Sequence, residues 1–102
     1  MAKDRLQLHD ELITMLGSSN VYFQPPNTLK MDYPCIIYKL DDVEGVHAND
    51  KRYWYMKRYL VTVVDKDPDT LTPDKILALP YCAFETHFVA ENLNHYICSL
   101  YY

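Results

Sequence analysis

The chain has 102 residues, 49% of them apolar, and fourteen acids outweigh ten lysines and arginines to give a net charge of −4. That length suits one domain with a single core, and no apolar run approaches the roughly 18 residues of a membrane-spanning helix. The acidic balance argues against a basic groove for nucleic acid, and two glycines are too few for a phosphate-cradling loop.

The opening segment, MAKDRLQLHDEL, is charged and amphipathic and lacks the apolar centre of a signal peptide. Its internal HDEL does not stand where a retention signal is read. The expectation is a protein made and kept in a cytoplasm. Leu8, Leu12, Ile13 and Leu16 recur at helical spacing, which predicts a helix from about Asp4 to Leu16 with Gly17 as its stop. NVYFQPP follows. Pro25 and Pro26 confine it to an edge strand or an extended arm.

YPCIIYKLDDVEG predicts a strand beginning at Pro34, its first half covered on both faces. The polar segment Asp41 to Lys51, which contains Gly45, reads as a long loop or hairpin tip. RYWYMKRYLVTVVD is the longest predicted strand. Tyr53, Tyr55, Tyr59, Val61 and Val63 share the parity expected to face the core, with Lys57 as the exception.

Asp65, Asp67 and Asp69 are spaced as in a calcium loop. The sixth and twelfth positions of such a loop hold Thr70 and Ile76 instead of glycine and glutamate, so a turn is expected. In TPDKILALP, Thr72 is the expected N-cap of a short helix, Pro73 suits its first position and Pro80 ends it. Two alternating segments flank AENLN and predict a hairpin. Cys82, Phe84, Thr86 and Phe88 are expected on one face of its first strand; Tyr96, Cys98, Leu100 and Tyr102 alternate in the second.

The predicted fold is therefore α+β, one domain over residues 1–102. A mixed, mostly antiparallel sheet carries an N-terminal helix and a short second helix packed on it.

Cys35, Cys82 and Cys98 sit among apolar neighbours and read as small buried hydrophobes. With a hairpin centred on Glu91 and Asn92, Phe88 faces His95 and His87 faces Tyr96. The two histidines then point to opposite sides and make no tetrahedral zinc site with the cysteines. His9 and His47 read as exposed. Neighbouring carboxylates point apart, and no serine has the flanking glycines of a nucleophile elbow. No catalytic residue, metal or cofactor is expected. NDKRYWYMKRY interleaves basic and aromatic residues. That pattern suits single-stranded nucleic acid or a protein interface, and the net acidity favours the interface.

Three segments, VYFQPPNTLKMDYPCIIY, NDKRYWYMKRYLVTVVDKDPDTLTPDKILALP and ENLNHYICSLYY, together resemble the small tail-terminator, or tail-completion, proteins of long-tailed bacteriophages. The resemblance covers nearly all of the chain after the first helix. It implies helices on a mixed or antiparallel sheet and a ring, usually of six copies, capping the head-proximal end of the tail tube. Implied partners are the tail tube protein, the head-completion (neck) protein and further copies of the chain, with DNA passing through without specific binding. The implied location is the virion, after assembly in the host cytoplasm. Other readings are a stopper or neck component, or a small domain binding single-stranded nucleic acid or protein. The long polar loop and the arm from Gln24 to Leu29 are the expected contact regions, represented by Val46, His47, Ala48, Asn49, Asp50, Arg52, Trp54 and Gln24.

Overall fold

The computed structural model describes residues 5–26, 29–47 and 53–102, with the backbone alone over 42–47 and 53–56. Helix α1 (Arg5–Leu16) leads into strand β1 (Val21–Phe23). Strands β2 (Cys35–His47) and β3 (Tyr53–Asp65) follow, then helix α2 (Thr72–Leu77) and strands β4 (Cys82–Ala90) and β5 (Leu93–Tyr101). The described residues form a five-stranded sheet in the order β1-β2-β3-β5-β4. β1 runs parallel to β2 and every other neighbour is antiparallel. This is the predicted α+β architecture.

Periodicity explains which side each element buries. In α1, Leu8 and Leu12 lie on the buried stripe. Gly17 closes the helix at φ 77°, its N–H donating to the Ile13 carbonyl at 2.9 Å. A left-handed residue costs glycine nothing there. Ile36, Tyr38, Tyr59, Val61, Val63, Cys98 and Leu100 project from one side of the sheet and enclose Leu8, Leu12 and Ile76 from the helices. Fully burying a Leu, Ile or Val side chain contributes about 1.5–3 kcal/mol, so this layer dominates the stability. Cys35, Val64 and Leu93 form a smaller cluster on the opposite face, with Tyr22 and Ile37 packed against it. The first half of β2 is thus covered on both faces, as expected.

Several expectations need correction. The Asp41–Lys51 segment is strand as far as His47, because Val43 to His47 pair with Lys57 to Tyr53. Thr72 is not the cap of α2. Leu71 holds that position with no side-chain hydrogen bond to the helix, and Thr72 is the first helical residue, its N–H donating to the Thr70 hydroxyl at a long 3.4 Å. Cys82, Phe84, Thr86 and Phe88 do not share a face. A bulge between Phe84 and Thr86 sets Phe84 opposite Cys98 but Thr86 opposite Ile97, so the helix side receives Cys82 and Phe84 and the open side Thr86 and Phe88. His9 is half-buried, with Nδ1 2.7 Å from the Tyr38 hydroxyl.

The β4–β5 turn has positive φ at Glu91 (54°) and Asn92 (63°), the signature of a tight hairpin whose twist matches the flanking strands. His87 stands opposite Tyr96 and Phe88 opposite His95, the predicted register.

Candidate functional site

The β2–β3 hairpin outruns the rest of the sheet. β5 accompanies β3 from Asp65 only to Arg58. From Met56 to Tyr53, β3 pairs with β2 alone among the described residues, the Lys57 carbonyl still accepting the Tyr102 N–H at 3.0 Å. At about 3.4 Å per residue, this two-stranded ribbon extends well past the helices, and the molecule is 52 Å in its longest dimension against 27 and 23 Å in the others. An isolated ribbon has no core of its own. At its base a bulge falls between Leu40 and Asp42, and Arg58 clasps Asp41 through two nitrogens, Nε at 2.8 Å and Nη2 at 2.7 Å from Oδ2.

Of the expected contact residues, Val46, His47 and Trp54 lie on this ribbon, with Val46 opposite Trp54 and His47 opposite Tyr53. Ala48, Asn49, Asp50 and Arg52 fall outside the described residues. Gln24 is elsewhere and holds structure together. At φ 45° it turns the chain off β1, its N–H donates to the Tyr38 carbonyl at 2.9 Å, and its side-chain oxygen accepts from the Leu40 N–H at 3.2 Å.

Beside Gln24, a groove of about 650 Å³ opens on the sheet face away from the helices, between Pro25, Pro26 and Met31 on one side and Ile37, Leu60 and Ile97 on the other. No helix among the described residues covers this face, and Phe88 at its far margin stacks on His95 with ring centres 4.6 Å apart. Sequence reasoning missed the margin. β4 is exposed from Ala83 to Ala90, and Phe84, Phe88 and Val89 keep 48%, 43% and 62% of their surface. Two phenylalanines four apart on a strand were the available signal; their exposure depends on β4 being outermost, which strand order decides.

Several titratable groups among the described residues are engaged in structure. His87 Nε2 is 3.1 Å from Asn94 Oδ1 and its ring lies against Tyr96 on the helix side, whereas His95 occupies the open side. The two histidines cannot ligate one metal. Asp65 and Asp67 each accept the backbone N–H two residues on, at 2.9 Å, which is an Asx turn repeated. Burial pushes the Cys35 thiol up to about 11. Cys82 and Cys98 interact as a pair. The interaction between the two thiols raises the pKa of buried Cys98, as does burial, and lowers that of Cys82. Tyr38 is completely buried; its hydroxyl accepts from Arg5 at 3.1 Å and meets His9. No helix among the described residues is long and apolar enough to cross a membrane.

Neither family models nor curated proteins yield a match to this chain.

Proposed function

We propose that this chain is a structural protein of a long-tailed phage virion, a tail terminator that caps the head-proximal end of the tail tube as a ring and joins it to the neck. The observation that carries the reading is the β2–β3 ribbon. It projects beyond the only extensive core among the described residues, and its sequence is rich in aromatic and basic residues, the composition of protein contact surfaces. A ribbon without a core gains stability when a partner covers it. The resemblance of three long segments to tail terminators supplies the kind of partner: tube protein, neck protein and sister copies. Ring neighbours meet through two different patches, so the ribbon is one docking element among several. The acidic net charge suits a channel through which DNA slides without being gripped. The domain acts by binding and uses no cofactor.

The test is genetic and is read on particles. A phage lacking this gene is expected to make filled heads and separate tails, some of abnormal length, that do not join. Supplying the wild-type chain in trans restores infectivity. Supplying a chain whose residues 43–56 are replaced by an Asn-Gly turn does not, although that variant keeps the ladder from Cys35 to Leu40 and folds. Complete infectious particles from the deletion overturn the reading. Joined particles with heads that leak DNA point to a stopper component instead.

A further inference from the structure

The two margins of the sheet differ in kind. β4 is the last strand and, among the described residues, pairs with β5 alone. Edge strands of monomeric proteins are usually blunted by lysine, proline, a bulge or a cover. The run CAFETHFVA has neither lysine nor proline. Its bulge precedes Thr86, which leaves Thr86 to Ala90 a regular, exposed edge carrying Phe88 and Val89. At the other margin β1 offers three residues, flanked by exposed Leu29, Tyr33 and Leu40.

The charges at the two margins are opposite. Around β4 and its neighbouring turns stand Asp65, Asp67, Asp69, Asp74, Glu85 and Glu91, against Lys66 and Lys75. Burial, followed by the fields of Asp69, Asp65, Asp67 and Asp74, raises the Tyr96 pKa, so several of these acids act on one face. Around β1 stand Arg5, Lys30 and Lys39, against Asp32 and Asp41, the latter already held by Arg58. Arg5 lies directly over the β1 residue Phe23, its guanidinium carbon 4.3 Å from the ring centre.

We propose that the β4 margin of one copy docks on the β1 margin of a second copy, head to tail, so that one sheet continues into the next. Backbone pairing along Thr86–Ala90 and the apolar side chains beside it supply the contact, and the opposite charges choose the β1 margin over a second β4, where acids would face acids. A head-to-tail contact leaves a free patch at each end and propagates into a ring or filament. Closure into a ring rests on the tail-terminator reading; the docking itself rests on the two margins.

The experiment uses the full chain in sedimentation velocity at low salt over rising concentration, with amide exchange of β4 as a second readout. Wild type is expected to associate, to protect the Thr86–Ala90 amides as it does so, and to dissociate as salt screens the charges. Val89→Lys, at a position that is mostly solvent, should weaken self-association by about tenfold or more. So should the double variant Lys30→Glu, Lys39→Glu, which alters only the other margin. Thermal melts confirm that each folds. An equimolar mixture of the two mutant chains should form dimers and stop there, because each retains one good margin. If the Lys30/Lys39 variant associates like wild type, or the mixture stays monomeric, the head-to-tail contact is wrong. Wild type that remains monomeric to millimolar concentration also overturns it. Margin variants that fail to associate, combined with a gene deletion that still yields infectious phage, would leave the docking standing and remove the tail-terminator reading.

Discussion

The hydroxyl of Tyr102 donates to a carboxylate oxygen of Glu11 at 2.5 Å, tying the residue that follows β5 to the middle of α1. The ring of Tyr102 is nearly buried, and burial followed by the Glu11 contact raises its pKa above the ordinary 10.0.

Stability should therefore fail on the alkaline side. A folded-state pKa above the unfolded one means that the native state keeps its proton where the unfolded chain has lost it. The stabilisation is complete below the unfolded pKa and declines as pH rises through the folded one. Cys35, raised from 9.0 to about 11, adds to the same window. Urea midpoints should hold steady up to about pH 9 and then fall through pH 11. Tyr102→Phe should cost about 1–2 kcal/mol at neutral pH and flatten part of the alkaline decline. An unchanged alkaline slope in that variant would show that Tyr102 titrates alike in both states.

Thr72→Val should be close to neutral. A lost N-cap typically costs about 1 kcal/mol, but Thr72 sits inside the first turn, with its side chain buried and its hydroxyl only 3.4 Å from that of Thr70. Denaturation midpoints should agree within about 0.5 kcal/mol. A loss near the full value of a cap would contradict the observed helix start.

The aspartate turn works by accepting backbone N–H groups. Asp67→Asn keeps the acceptor oxygen and removes one of several crowded negative charges, so it should be neutral or mildly stabilising. Asp67→Ala deletes the acceptor and should cost about 1 kcal/mol. Melts with millimolar calcium and with chelator should coincide. A calcium-specific rise of the midpoint, absent with magnesium, would refute the turn as the whole account.

Thiol reagents should find the cysteines in a fixed order. Cys82 is half-exposed and ionises more readily than its neighbour, whereas Cys35 and Cys98 are completely buried with raised pKa values. Thiolate fraction and access set the rate. One fast and two slow reactions are expected in the native state, and three fast ones in denaturant, followed by mass spectrometry. Fast native labelling of Cys35 would mean that the small cluster around Val64 and Leu93 is open.

What could be read in the sequence follows the range of the forces involved. The pairing of His87 with Tyr96 was legible because a hairpin register follows from the turn centre. The buried stripe of α1 and the core parity of Tyr59, Val61 and Val63 were legible because periodicity is local. The strand from Asp41 to His47 was not: its polar residues and Gly45 are poor strand formers, and pairing with β3 imposes the conformation. Tyr38 meeting Arg5 and His9 joins residues about thirty positions apart, which no window of sequence reveals. Of the expected contact residues, the ribbon placed Val46 against Trp54 and so gave that region a shape, whereas Gln24 proved to be a bracket between β1 and β2. The exposed margin of β4 escaped notice because being outermost is a property of the whole sheet.

Glu85 is a spacer. It is the extra residue of the β4 bulge, and its carboxylate accepts from the Ser99 hydroxyl at 2.9 Å. Every residue before and after it already has its partner on β5, so a chain lacking Glu85 could retain all those pairs and merely straighten. Straightening is the hazard, since a long flat edge recruits strands without limit. The bend confines the open stretch to one short landing, enough for a single neighbour in a single alignment. On that view an apparently superfluous residue separates orderly assembly from runaway stacking.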